Sequence, residues 1–257
     1  MIRPARFAAA VLLVGVGTAC GGDAGGSTAE ETAEPVRQPH QIIYAYDRST
    51  SITEAELSEY AKITGQTLDA LDHGDRVVAM ELLQLSLTEA PPRWSQEVPP
   101  REFANRQLAS DSVNRVRFLR DARDYLGQHY TQNEGRENFL GTDILSTLHD
   151  VAAEARAYPN HKTTLLLFSD MRQATDEINM EGSLRMPPAD WIAKRKAEGR
   201  LPDLSNVCVV VAGARTDTGD GQTVKAFWQS YFDATGARML DSNYSYRPVR
   251  IPEDPCG

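Results

Sequence analysis

The sequence predicts an α/β fold: a doubly wound, mostly parallel central sheet flanked by helices on both faces, Rossmann-like in outline. Short β-rich runs alternate along the chain with stretches of helical periodicity, the pattern of parallel βαβ units. One of those runs, TTLLLF at 163–168, is apolar without interruption, as a strand covered on both faces must be. The chain has 257 residues, of which 41% are hydrophobic and 25% charged. Those values suit one large domain and exclude a fibrous, largely disordered or multi-span membrane protein.

The first residues read as an export signal. Arg3 and Arg6 precede the apolar run FAAAVLLVGV at 7–16. Ten helical residues reach only about 15 Å, half of a bilayer's hydrocarbon core, which suits a signal-peptide core better than a span. The run closes on Gly17-Thr18-Ala19-Cys20. Small residues before a cysteine resemble a bacterial lipoprotein signal, in which Cys20 becomes the lipidated first residue of the mature chain. Removing 1–19 takes away two arginines and no acid, so the net charge deepens from −9 to −11. Residues 20–41 are rich in Gly, Ala, Thr, Glu and Pro and read as a flexible tether. The expected location is therefore extracytoplasmic, on the cell membrane or outer membrane, with the lipid as sole membrane contact. A chain this acidic lacks the basic footprint that nucleic-acid binding needs.

The folded domain is expected over 42–257. Ile42-Ile43-Tyr44-Ala45-Tyr46 is a first strand, and Leu57, Tyr60, Ala61, Thr64, Leu68 and Leu71 then recur at helical spacing. Arg76 to Leu82 is a second strand, and the stretch around Pro91, Pro92, Pro99 and Pro100 is a loop or an edge hairpin. Leu108, Val116, Leu119, Ala122 and Leu126 mark a long amphipathic helix, and Ile144, Leu145, Leu148, Val151, Ala152 and Ala155 another. Strands follow at Thr163 to Phe168 and Asn206 to Ala212, and Val224, Phe227, Trp228 and Tyr231 make a last helix. Between the two strands, 172–205 is an inserted polar segment with a short helix from Trp191 to Glu198. Loops this long are usually functional or disordered. Cys208 in the apolar run and Cys256 near the end can pair in an oxidising compartment, pinning the C-terminal tail to the core.

In an open parallel sheet, ligands bind beyond the carboxyl ends of the strands, where the strand order reverses. Asp47-Arg48-Ser49-Thr50-Ser51 follows the first strand, and Ser169-Asp170 follows TTLLLF. Gly141-Thr142-Asp143 precedes the Ile144 helix. Two carboxylates and three hydroxyls are hard oxygen donors suited to Mg²⁺, with Mn²⁺ or Ca²⁺ as alternatives. Two carboxylates about 5 Å apart repel by roughly 3 kcal/mol at an effective dielectric of about 20, and a bound cation offsets that. The five histidines (40, 73, 129, 149, 161) show no zinc-ligand spacing.

Asp47-x-Ser49-x-Ser51, then Thr142 after Gly141, then Asp170 ending an apolar strand, resemble the metal-ion-dependent adhesion site of von Willebrand factor type A domains. The resemblance spans about 41–235. It implies that Ser49, Ser51 and Thr142 contact the metal directly and that Asp47 and Asp170 act mainly through bound water. It also implies an open coordination position that takes a carboxylate from a protein partner. Members often carry Gly after the last Asp, where this chain has Met171-Arg172.

Each group also has a plainer reading. Ser51-x-x-Glu54 and Thr53-x-x-Glu56 both fit a capping box, Thr142 fits an N-cap, and Asp47 and Asp170 can bind backbone amides at helix starts. An enzymatic alternative is Mg²⁺-dependent phosphoryl transfer or hydrolysis. Aspartyl-phosphate enzymes resemble Asp-x-Asp after the first strand, but Ser49 stands at the second acid. No G-x-x-x-x-G-K-[ST] loop and no G-x-S-x-G elbow occur. A structural envelope protein without metal is the third class. The expectation is a non-enzymatic binding module.

Overall fold

A computed structural model describes residues 37–82, 93–101, 108–132, 141–247 and 255–257. The expected signal peptide, Cys20 and nearly all of the tether lie outside the described residues. Residues 37–257 belong to one compact unit.

The described strands are β1 (His40–Tyr46), β2 (Arg76–Glu81), β3 (Arg93–Glu97), β4 (Lys162–Phe168), β5 (Val207–Ala212) and β6 (Tyr244–Ser245). They form one sheet in the order β3-β2-β1-β4-β5-β6. All neighbours run parallel except β2 and β3. The edge hairpin is therefore real, with Pro99 and Pro100 just beyond β3, where no ladder hydrogen bond is lost. β1 begins two residues before its expected start, and takes His40 and Gln41 from the tether because both pair in register with β4. β6 carried too little pattern to be read from sequence: two residues provide no alternation.

The helices are α1 (Glu54–Asp69), α2 (Leu108–Tyr130), α3 (Ile144–Ala157), α4 (Trp191–Ala197) and α5 (Gly219–Thr235). The apolar faces of α1 and α2 bury Leu57, Tyr60, Ile63, Leu119 and Leu126 against Tyr44, Tyr46, Val77 and Phe168 on one face of the sheet. The faces of α3 and α5 bury Ile144, Leu148, Val151, Val224 and Trp228 against Ile43, Val78, Leu165 and Val209 on the other. Alternate residues of each strand thus feed alternate cores, the doubly wound arrangement. The winding reverses between β1 and β4, which are neighbours although β2 and β3 come between them in the chain.

Arg115, Arg117, Arg120 and Arg123 make a basic run on α2, of which Arg115, Arg120 and Arg123 are solvated or cap a neighbour. Arg120 pairs with Asp121 and Arg123 with Asp69, while Arg115 donates to the carbonyls of Asp69 and Leu71 at the end of α1. The inserted segment docks on α5: Trp191 lies against Phe227 and Tyr231 and donates to Glu177, and the Arg195 guanidinium covers its ring. Trp191 is therefore a packing residue. Among the described residues no helix is long and apolar enough to cross a membrane.

Candidate functional site

The site forms where the winding reverses, because β1 and β4 end level. Tyr46 and Phe168 are register partners, and the Asp47 N–H donates to the Phe168 carbonyl at 2.8 Å. The next residues out, Asp47 and Ser169, therefore emerge side by side. Ser169 Oγ donates to Asp47 Oδ2 at 2.7 Å. The Ser49 N–H donates to Asp47 Oδ1 at 2.9 Å, a tight turn that folds the loop back over the strand end. Thr142 Oγ1 reaches the same Oδ1 at 3.3 Å from a loop 95 residues away. Ser49 Oγ lies 2.9 Å from Ser51 Oγ. Asp170 follows Ser169, and its Oδ1 accepts from the Arg172 N–H at 3.1 Å.

Of the five sequence-expected residues, Asp47, Ser49 and Thr142 are joined directly by hydrogen bonds and Ser51 reaches them through Ser49, while Asp170 adjoins Ser169, which itself bonds Asp47. Ser169 was not singled out because a serine at a strand end carries no signal of its own. Only its bonds to Asp47 and to the Met171 N–H distinguish it. The capping alternatives fall to neighbours. Thr53 caps α1 in a capping box with Glu56, and Asp143 caps α3 through the Ser146 N–H. Ser51 and Thr142 are left for other work.

Arg48, between the first two site residues, explains how the turn is held. Its guanidinium is buried against Glu81 at 2.7 Å and the His129 carbonyl at 2.9 Å, tying the loop to β2 and to the end of α2. On the other side Gln173 clamps the Thr142 loop. Its Oε1 accepts from the N–H groups of Ile144 and Leu145, its Nε2 donates to Asp143 Oδ1, and the Ala174 N–H donates to the Thr142 carbonyl. The inserted segment therefore begins at the site itself. Met171 has φ of +66° and is fully buried. That left-handed conformation costs a non-glycine residue about 1–2 kcal/mol, so the turn takes a geometry that Gly adopts more readily. It is held by the Met171 carbonyl, which accepts from Trp228 Nε1 at 2.7 Å.

Asp47, Ser49, Thr142 and Asp170 are buried, Ser51 is half-buried and Thr50 exposed, so the cluster meets solvent on the Thr50–Ser51 side. Burial, then the neighbouring Asp47 charge, pushes the Asp170 carboxyl up to about 6. Burial likewise raises Asp47, although bonds from Ser49, Ser169 and Thr142 oppose it. The donors to Asp47 are neutral. The cluster therefore concentrates hard oxygens and more negative charge than its own hydrogen bonds compensate, a donor set that fits a small divalent cation. Among the described residues no group of three or more His, Cys, Asp or Glu is placed to hold a metal. A cation here would depend on hydroxyls as much as on carboxylates.

Near the start of β5, away from the strand ends that carry Asp47 and Asp170, Cys208 is joined to Cys256 by a disulfide, with Cα atoms 5.8 Å apart. The Asp217–Gly221 stretch is the start of α5, where Thr218 caps the Gly221 N–H.

No family model and no curated protein matches the chain. Among solved structures it is similar to the manganese-loaded TRAP protein of Plasmodium vivax, with 13% identity and a TM-score of 0.36, over 81% of this chain and 68% of that one. A likeness at that level says nothing about a metal or a partner here.

Proposed function

We propose that the chain is an exported, lipid-anchored binding module of the von Willebrand factor type A kind, not an enzyme. It holds Mg²⁺ through Asp47, Ser49, Ser51, Thr142 and Asp170 and uses the ion to hold an acidic residue of a protein partner at the cell envelope. The observation that carries this reading is the meeting of three chain-distant loops on Asp47 at the reversal of strand order, with Thr142 Oγ1 3.3 Å from the carboxylate. Bound there, the ion supplies a Lewis-acid position open to a carboxylate. Ser49, Ser51 and Thr142 provide neutral oxygen, which leaves the cation's charge incompletely neutralised and so attractive to an acid.

The rim agrees with an acidic partner. Arg215 is 44% exposed in its side chain, donates to the Ser51 carbonyl at 3.3 Å and pairs with Glu56. Its charge and that of Arg172 are both felt at Asp170. One metal–carboxylate bond is specific but small, so affinity needs surrounding contact area. In this reading the inserted segment, which begins beside the Thr142 loop, provides it.

Thermal unfolding in millimolar Mg²⁺ and in EDTA tests the cation. Mg²⁺ raises the melting temperature of the native chain, since a ligand bound only to the folded state stabilises it. Asp47→Ala and Asp170→Ala remove the rise. An unchanged native curve would sink the metal reading. Pull-down from envelope extract, comparing Mg²⁺ with EDTA and the native chain with Thr142→Ala, then tests the partner.

A further inference from the structure

We infer that the pole of the domain from which the tether departs docks on an anionic phospholipid surface, through a basic cavity bordered by Lys162 and Arg238, and so turns the cluster around Asp47 outward. This rests on the lipid-anchor reading above and goes beyond it by giving the anchored domain an orientation.

The strands set the two poles. β1 and β4 run parallel, from His40 and Lys162 to Tyr46 and Phe168. The strand starts and the Asp47 cluster therefore lie at opposite ends of the sheet, about 20 Å apart. The last tether residues are held at the starting end. Arg37 pairs with Asp75, the Gln38 amide donates to the Asn160 carbonyl at 3.1 Å, and the Lys162 N–H donates to the Pro39 carbonyl at 2.9 Å. A lipid on Cys20 brings this end to the membrane through the seventeen residues 20–36. As the flexible tether that its composition predicts, that stretch spans about 23 Å. Such a link holds the pole among headgroups at an effective concentration on the order of millimolar, where weak contacts are occupied.

At this pole lies a cavity of about 230 Å³, lined by His40, Lys162, Thr164, Asn206, Cys208 and Arg238, with Gly257. The register explains why these residues meet. His40 pairs with Lys162, Thr164 pairs with Cys208, and Cys208 bridges to Arg238. Residues paired across strands or two apart along one share a face. A Lys and an Arg are thus gathered with an imidazole, a hydroxyl and an amide.

Lys162, Asn206 and Arg238 are exposed, and no Asp or Glu is among the described lining residues. In a chain of net charge −9 this is a local reversal of sign. It acts locally too, because charges are screened over about 8 Å at physiological salt and the far pole lies well beyond that. Cations with neutral donors beside them suit a phosphate group. The phosphates that the tether brings within reach are those of the membrane.

The test is acylation of lysines, read by peptide mass, in the native lipid-bearing full chain on vesicles of phosphatidylcholine, with and without phosphatidylglycerol. Each Lys or Arg near an anionic leaflet favours docking by about fivefold, so Lys162 should react about tenfold more slowly on the anionic vesicles. Lys62 on α1 and Lys196 on α4, both exposed, should react equally on the two. Arg238→Gln should lose most of the slowing and Arg238→Lys should keep it. Equal Lys162 rates on both vesicles, or slowing that survives Arg238→Gln, would overturn the proposal alone. Slowing shared by Lys62 and Lys196 would also overturn it, as adsorption without orientation. The same slowing by inorganic phosphate on neutral vesicles would assign the cavity to free phosphate and overturn membrane docking. A native chain whose intact mass carries no lipid would overturn both this proposal and the anchor reading.

Discussion

Asp170 links the site to pH. Burial and the nearby Asp47 charge hold its carboxyl at about 6 in the metal-free fold, against about 3.9 in an unfolded chain. Between those values the folded chain keeps a proton that the unfolded chain has lost. This group therefore makes the metal-free fold more stable as pH falls from 7 toward 4, the reverse of an ion-paired aspartate. Asp47, raised in the same direction by burial, acts in the same sense. Under the proposed cation reading, protons and Mg²⁺ compete for the same oxygens. Melting at pH 5 and pH 7.5, with Mg²⁺ and with EDTA, should show the Mg²⁺-induced rise shrinking at the lower pH while the EDTA curve holds or improves. An equal rise at both would mean that Asp170 does not face the ion. Met171 makes a related point: at φ +66° it keeps a strained turn, and strain of this kind collects at sites where the backbone must present a group in one direction.

Among the elements, the turn into α3 depends on one side chain from outside the helix. Gln173 accepts the Ile144 N–H at 2.8 Å and the Leu145 N–H at 3.2 Å. Gln173→Ala leaves these buried donors without their acceptor, a loss of about 1–3 kcal/mol. Urea unfolding should show a loss of that size. The Mg²⁺-induced rise should weaken as well, because the same loop carries Thr142. Wild-type stability in the variant would mean that Asp143 alone holds the turn. The element also explains a limit of sequence reading. The 172–205 segment reads as a long polar loop, yet Ile178, Met180 and Leu204 are buried within it. Their spacing follows neither strand nor helix periodicity, because irregular backbone sets it.

For the molecule as a whole, the disulfide ties β5 to the C-terminal tail. Cys208 and Cys256 are 48 residues apart, and closing such a loop in the unfolded chain is worth about 4 kcal/mol in the chain-entropy model. The linked tail also places the Pro255 carbonyl on the Asn243 amide at 3.0 Å, beside β6 at the sheet edge. Reduction with dithiothreitol, or Cys256→Ser, should lower the unfolding free energy in urea by about that amount. It should leave the Mg²⁺ response in place, since β5 meets the tail away from the strand ends that carry Asp47 and Asp170. A loss of Mg²⁺ response on reduction would instead couple the two.

The fold class was legible in the amino-acid order, and the oxygen-bearing residues of the proposed site could be nominated from it, because both rest on local chemistry. Apolar runs such as Val207–Ala212 bury on two faces, helices repeat at 3.6 residues, and Asp, Ser and Thr at strand ends remain oxygen donors whatever surrounds them. Residues 47 and 142 could be nominated without knowing that they touch. Tertiary structure alone decided the rest: that Ser169 bonds Asp47, that Gln173 clamps the Thr142 loop, that Met171 takes a glycine-like turn, and that the Tyr60 hydroxyl packs so close to Gly213 that no Cβ fits there. Those are contacts between segments remote in sequence or choices of backbone angle. No periodicity encodes them, because each depends on where a second, unrelated stretch of chain comes to rest.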